Sequence, residues 1–248
     1  MSATAPRWIT VFVDVPDAHF EPTVRFWAHA LVGKVSPARG VHGEFVTVVP
    51  KSGDPVLKLQ KLHAGPARVH VDLHVDDIDA ATQAALAAGA TLVADPDEHG
   101  YAVLRSPAGL AFCFVDHPAG AAPEQGLHKD GTRCGVEQVM IDVPEAQFAA
   151  ETAFWAGVTG WAVHSGGPNF PEFSWFEQPR TMPVRLMAQR VGDTTARFHL
   201  DVRVSDLEAG VAMLERAGAR ATGAGGEFWR VMQDPAGTVL CASHHTDH

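Results

Sequence analysis

Positive charge is what this 248-residue chain has least of for its size: 19 Lys and Arg stand against 29 Asp and Glu, a formal net charge of −10. With no basic stripe to release counterions from phosphates, nucleic acid and anionic membrane surfaces are excluded as partners. Cysteine is scarce as well. Cys113, Cys134 and Cys241 are widely spaced and form no C-x-x-C pair. That excludes a disulfide framework and a structural zinc knuckle, and it fits a reducing cytoplasm, where we expect the protein to reside. No apolar run approaches the roughly 18 residues that span a bilayer, and Met1 to Arg7 has no apolar core of signal-peptide length. A glycine-rich phosphate loop followed by Lys is also missing, as is a G-x-S-x-G nucleophile elbow.

What is present is repetition. Val13-Asp14-Val15-Pro16 followed by Phe26-Trp27-Ala28 recurs 128 residues later as Ile141-Asp142-Val143-Pro144 followed by Phe154-Trp155-Ala156. Ala88-Gly89-Ala90 matches Ala217-Gly218-Ala219, and Pro107-Ala108-Gly109 matches Pro235-Ala236-Gly237. Two homologous halves follow. We expect domains at 1–118 and 132–248, joined by a linker at 119–131 where Pro, Gly and Ala crowd together without periodicity. A weaker repeat of about 60 residues inside each half makes four modules, each reading as strand, helix and three strands. In the last module Ser205 is expected to cap a helix, with Glu208 three residues on reaching back.

The chemistry concentrates on one strand of each half. Arg68-Val69-His70-Val71-Asp72-Leu73-His74 and Arg197-Phe198-His199-Leu200-Asp201-Val202-Arg203 share the pattern Arg-x-His-x-Asp. Alternation turns the apolar residues to one face and His70, Asp72 and His74, or His199, Asp201 and Arg203, to the other. An unpaired carboxylate on a buried face costs several kcal/mol, so Asp72 and Asp201 must be wet, coordinated or paired with His or Arg, with Arg203, His74, Arg68 and Arg197 available nearby. Two readings stay open: a His–Asp relay for general acid–base work, and a structural hydrogen-bonded pair. Tyr101 and Trp229 occupy matching positions before the last strands and are candidate pocket walls.

These motifs, in the same order twice over, resemble the vicinal oxygen chelate superfamily, which includes glyoxalases, bleomycin-resistance proteins and extradiol dioxygenases. The resemblance covers nearly the whole chain. It implies an α+β fold of four βαβββ modules forming two glyoxalase-like domains, with curved mixed sheets around clefts. It also implies a ligand or divalent metal on the concave face, held from the first and last strands of the modules. The matching positions are Thr10, Gln60, His70 and Cys113 in the first half and Gln138, Gln189, His199 and Cys241 in the second. The chain departs from the pattern where Cys113 and Cys241 stand in place of the carboxylate usual on the final strand.

From these readings we expect His199, Asp201, His70 and Asp72 as the catalytic set. Gln138, Gln189, Arg203, Trp229, Tyr101, Gln60 and His74 are expected to bind the ligand. A divalent metal is a candidate cofactor, with His199 and Gln138 its candidate ligands. The resemblance implies a lyase, isomerase or dioxygenase acting on a small oxygenated organic compound; the alternative is a non-catalytic, antibiotic-type small-molecule binder. The chain is expected to be a monomer or homodimer.

Overall fold

The computed structural model describes residues 4–94, 100–118 and 120–244. Within them the order strand, helix and three strands occurs four times. The first module is β1 (Trp8–Pro16), α1 (Asp17–Ala30), β2 (Lys34–Val35), β3 (Phe45–Val49) and β4 (Leu57–Leu62). The second is β5 (Arg68–His74), α2 (Ile78–Ala87), β6 (Thr91–Ala94), β7 (Tyr101–Arg105) and β8 (Ala111–Val115). After β9 (Gly126–Leu127) comes the third: β10 (Arg133–Pro144), α3 (Glu145–Thr159), β11 (Val163–Ser165), β12 (Phe173–Phe176) and β13 (Arg185–Val191). The fourth is β14 (Arg197–Val204), α4 (Leu207–Ala217), β15 (Arg220–Gly225), β16 (Trp229–Gln233) and β17 (Val239–Ser243). The fold is α+β, as the pattern implied.

Each half contributes one mixed sheet with the same strand order. The first runs β2-β3-β4-β1-β5-β8-β7-β6, and the second runs β11-β12-β13-β10-β14-β17-β16-β15 with β9 added against β10. Strands β5 and β8 pair in parallel, as do β14 and β17. The chain groups into two compact units that cut across the halves. One comprises Met1–Val11, His70–Gly120 and Val139–Phe198; the other comprises Phe12–Val69, Ala121–Gln138 and His199–His248.

The two units solve one packing problem with the same parts in different places. In the first, the fully buried Trp155 of α3 packs its ring 5.2 Å from Phe112 of β8. Its indole Nε1 donates to Glu151 Oε1 at 2.8 Å, while the Ala108 amide of the Pro107-Ala108-Gly109 turn donates to Oε2 at 2.9 Å. In the second unit the fully buried Trp27 of α1 donates its Nε1 to Asp234 Oδ2 at 3.1 Å. Asp234 also accepts the amides of Ala236 and Thr238, both at 2.9 Å. The repeat places Thr23 opposite Glu151 and Ser106 opposite Asp234, so the acid sits on the helix in one unit and in the turn in the other. Burial pushes both carboxyls above their ordinary pKa, against the pull of their hydrogen bonds.

Two local expectations need correction, and the linker gains detail. Asp206 caps α4, accepting the Ala209 amide at 2.8 Å, whereas Ser205 turns back to accept the Arg133 amide at 2.9 Å. An aspartate is at least as good a cap as serine, and it is one residue nearer the first turn. The linker is partly ordered, because β9 pairs antiparallel with the start of β10, Leu127 opposite Arg133. Arg68 and Arg197 serve neither Asp72 nor Asp201. They pair with Asp14 at 2.8 Å and Asp142 at 2.9 Å, whose side chains are 1% and 2% exposed. Four residues along a strand is roughly 13 Å, too far to reach, whereas the adjacent strand is about 4.8 Å away.

Candidate functional site

On β5 the apolar Val69, Val71 and Leu73 face one way and the polar set the other, yet both faces are covered. His70, Asp72 and His74 are 8%, 7% and 4% exposed. Parallel pairing puts Asp72 directly beside Cys113 of β8. One donor atom each from His70, Asp72 and Cys113 come within 4.8 Å of one another, and all three residues are buried. His70 Nε2 lies 3.7 Å from Asp72 Oδ1, an ion-pair distance too long for a hydrogen bond. His74 is spent on the scaffold. Its Nε2 lies 2.8 Å from Thr10 Oγ1 and its Nδ1 3.3 Å from the His117 carbonyl.

The second half repeats the frame with other tenants. Asp201 pairs in register with Cys241, as Asp72 does with Cys113. His199 Nε2 is 3.3 Å from Asp201 Oδ1, and Gln138 Nε2 donates to Oδ2 at 2.7 Å. Both oxygens of this carboxylate therefore face a nitrogen. Arg203 stands where the first half has His74, and it meets Glu137 at 3.5 Å. The replacements are coupled: the short Thr10 reaches His74, while the longer Gln138 in its place reaches Asp201.

The other expected ligand-binding residues lie on the same sheets. Gln60 of β4 is opposite Phe45 and Gln189 of β13 opposite Phe173, both half-buried. Tyr101 is half-buried opposite Val115, whereas Trp229, 42% exposed, is opposite Ser243. Sequence reasoning missed Glu137, which the Arg203 charge should have flagged, and the buried pair Asp14 and Asp142. Those two aspartates sit inside the repeated V-D-V-P and I-D-V-P motifs, where a charge between β-branched residues is itself the signal.

Three protein donors with a position left open is the pattern of a catalytic metal site. Among the described residues His70, Asp72 and Cys113 alone gather such a set. Imidazole, carboxylate and thiolate together suit a borderline ion such as Zn²⁺, Fe²⁺ or Co²⁺ better than a hard one. A divalent cation would also neutralise the buried Asp72. The residues of the first half fit a metal; in the second half Gln138 holds Asp201 with an amide donor.

The sequence matches a model of a glyoxalase-like domain twice, at residues 10–115 and 138–243. The chain belongs to the glyoxalase-like domain family. Its solved neighbours are members of the vicinal oxygen chelate superfamily, and they agree on the fold across the whole chain. The Mn(II)-bound glyoxalase from Novosphingobium aromaticivorans superposes with a TM-score of 0.66 at 17% identity, covering 98% of this chain and 83% of that one. The 2,3-dioxygenase from Pseudomonas sp. KL28 gives 0.66 at 11% identity, covering 100% and 95%. A mutant 4-hydroxymandelate synthase from Streptomyces coelicolor gives 0.62 at 13% identity, covering 98% and 94%. No curated protein matches the sequence. This glyoxalase-like protein thus shares its fold with enzymes of several reactions, and such identities speak to fold alone.

Proposed function

We propose that this glyoxalase-like protein is an isomerase or lyase that moves a proton on a small oxygenated organic compound bound at the polar faces of its sheets. One observation carries the reading: in both halves a nearly buried imidazole faces an aspartate two residues along, at 3.7 Å for His70–Asp72 and 3.3 Å for His199–Asp201. A carboxylate so placed stabilises the imidazolium that forms when the base takes a proton, and general acid–base transfer by the ring itself contributes roughly 10²- to 10⁴-fold in rate. At the second site Gln138 fixes Asp201, Asp201 fixes His199, and His199 exchanges the proton with substrate. Arg203, a quarter exposed, is placed to meet an anionic or carbonyl oxygen of the same molecule.

At the first site His70, Asp72 and Cys113 would hold a divalent metal, which when bound supplies Lewis-acid polarisation of a substrate oxygen. A dioxygenase reading is less well supported, because the set has one imidazole and a thiol where non-haem iron oxygenases use two imidazoles and a carboxylate. The compounds to test are 2-oxoaldehyde hemithioacetals for proton transfer and catechols for ring cleavage. Solvent deuterium incorporation into a hemithioacetal, lowered in His199→Ala and in His70→Ala and abolished in the double variant, is the expected result. Ring cleavage of a catechol with oxygen uptake would overturn the assignment to proton transfer. Purified protein that turns over neither class and retains a bound organic molecule would instead mark a binder.

A further inference from the structure

We infer that the groove at the end of α1, remote in sequence from both His–Asp pairs, is a binding site for a small organic anion: a carboxylate on an apolar body. The groove has a volume of about 670 Å³, within the range of roughly 300–1,000 Å³ typical of small-molecule sites. Val32, Leu127 and Met213 give it an apolar lining, and Lys51, Lys129 and Arg216 give it positive charge.

The sign of that charge is the first argument. Three cationic residues and one carboxylate, Asp130, line the groove in a chain whose net charge is −10. Asp130 lies 3.7 Å from Arg216, and hydrogen bonds from Thr132 hold its carboxyl below the ordinary range, so it stays charged and offsets Arg216. Lys51 and Lys129 have no ion-pair partner among the described residues. Two uncompensated ammonium groups over an apolar floor form a local field that attracts and orients an anion.

The backbone supplies the second, independent argument. Val32 has φ of 51°, and it is the one non-glycine residue with positive φ among the described residues. For a β-branched side chain this is an outlier, retained only where the surroundings enforce it and characteristic of ligand sites. The repeat shows the unstrained solution: at the same place after α3 stands Gly160, with φ of 70°. Here hydrogen bonds from the Val32 amide to His29 and from the Gly33 amide to Ala28 hold the strained turn, and the valine side chain lines the groove. The opposite wall differs in the same direction. Met213 and Arg216 of α4 stand where α2 has Ala84 and Ala87. Gly126 fits against the end of α1, since a Cβ there would collide with the Leu31 carbonyl.

The test compares 4-phenylbutanoate with its neutral analogue 4-phenylbutan-1-ol on the full chain, by titration calorimetry and amide chemical-shift mapping. The acid is expected to bind at least tenfold tighter than the alcohol, with shifts gathered at residues 28–33, 127–130 and 213–216. A Lys51→Ala, Lys129→Ala double variant should lose at least tenfold in affinity for the acid and nothing for the alcohol. Val32→Gly should weaken the acid several-fold while the melting temperature holds or rises, the signature of strain kept for binding. Equal binding of acid and alcohol, an unchanged double variant, a Val32→Gly variant that melts earlier yet binds as before, or shifts confined to His70 and His199 would each overturn the proposal.

Discussion

The two His-x-Asp strands have the same register to their last-strand cysteines and opposite commitments. In the first half Asp72 lies with His70 and Cys113, three donors within 4.8 Å. In the second Asp201 is held by Gln138 at 2.7 Å and His199 at 3.3 Å. One position on the first strand differs together with its partner at His74/Arg203. Thr10 is too short to reach the aspartate and bonds His74 instead, whereas Gln138 spans the gap. A duplicated frame therefore places three possible metal donors together in one copy and an amide-held His–Asp pair in the other, with different residues at the Thr10/Gln138 and His74/Arg203 positions.

The largest effect should come from removing the shared acid. Asp72→Ala is expected to cost the bound metal outright, and any proton-transfer turnover at that site at least about 100-fold, read by metal analysis and deuterium exchange. Exchanging the first-strand residue sharpens the comparison. Thr10→Gln should tie Asp72 to an amide and lower metal content several-fold, while Gln138→Thr should release Asp201 and raise metal content toward a second equivalent. No change in either variant would mean that Thr10 and Gln138 do not set the difference.

The buried acids Glu151 and Asp234 give a third contrast, in stability. Glu151→Ala leaves a buried indole N–H and the Ala108 amide without their acceptor, an expected loss of about 1–3 kcal/mol by chemical denaturation. Burial raises both carboxyl pKa values in the folded state, so the fold binds these protons more tightly than the unfolded chain does. Their contribution is fully present below the unfolded carboxylate pKa of about 4 and is lost as pH rises through the raised folded value. Glu151→Gln should flatten that slope in urea midpoints measured from acid to neutral pH; an unchanged slope would assign the pH dependence elsewhere. The smallest effect is expected for Arg203→Ala: a several-fold rise in KM for an anionic substrate, with stability within about 0.5 kcal/mol of wild type.

Much of this was legible in the residues. Alternation and the twin motifs point to four βαβββ modules, and the repeated Ala-Gly-Ala motifs fall at the ends of α2 and α4, where Gly89 and Gly218 adopt positive φ, 106° and 118°. The His-x-Asp pairs were found because both members lie on one strand. What stayed hidden lies between strands. The Gln138–Asp201 bond joins residues 63 apart, and the Arg68–Asp14 pair joins residues 54 apart. Alternation tells which face a side chain takes and says nothing of which neighbour it meets. Glu151 and Asp234 were invisible for a further reason: the acid changes places between helix and turn, so aligning the halves sets each against a hydroxyl residue.

The central claim is that the two halves differ in kind, and metal stoichiometry tests it most directly. Protein purified without chelator and reloaded with Zn²⁺ should hold one equivalent per chain, lost in His70→Ala and kept in His199→Ala. Loss of the metal in His199→Ala with retention in His70→Ala, two equivalents in wild type, or no retained metal at all would contradict the account.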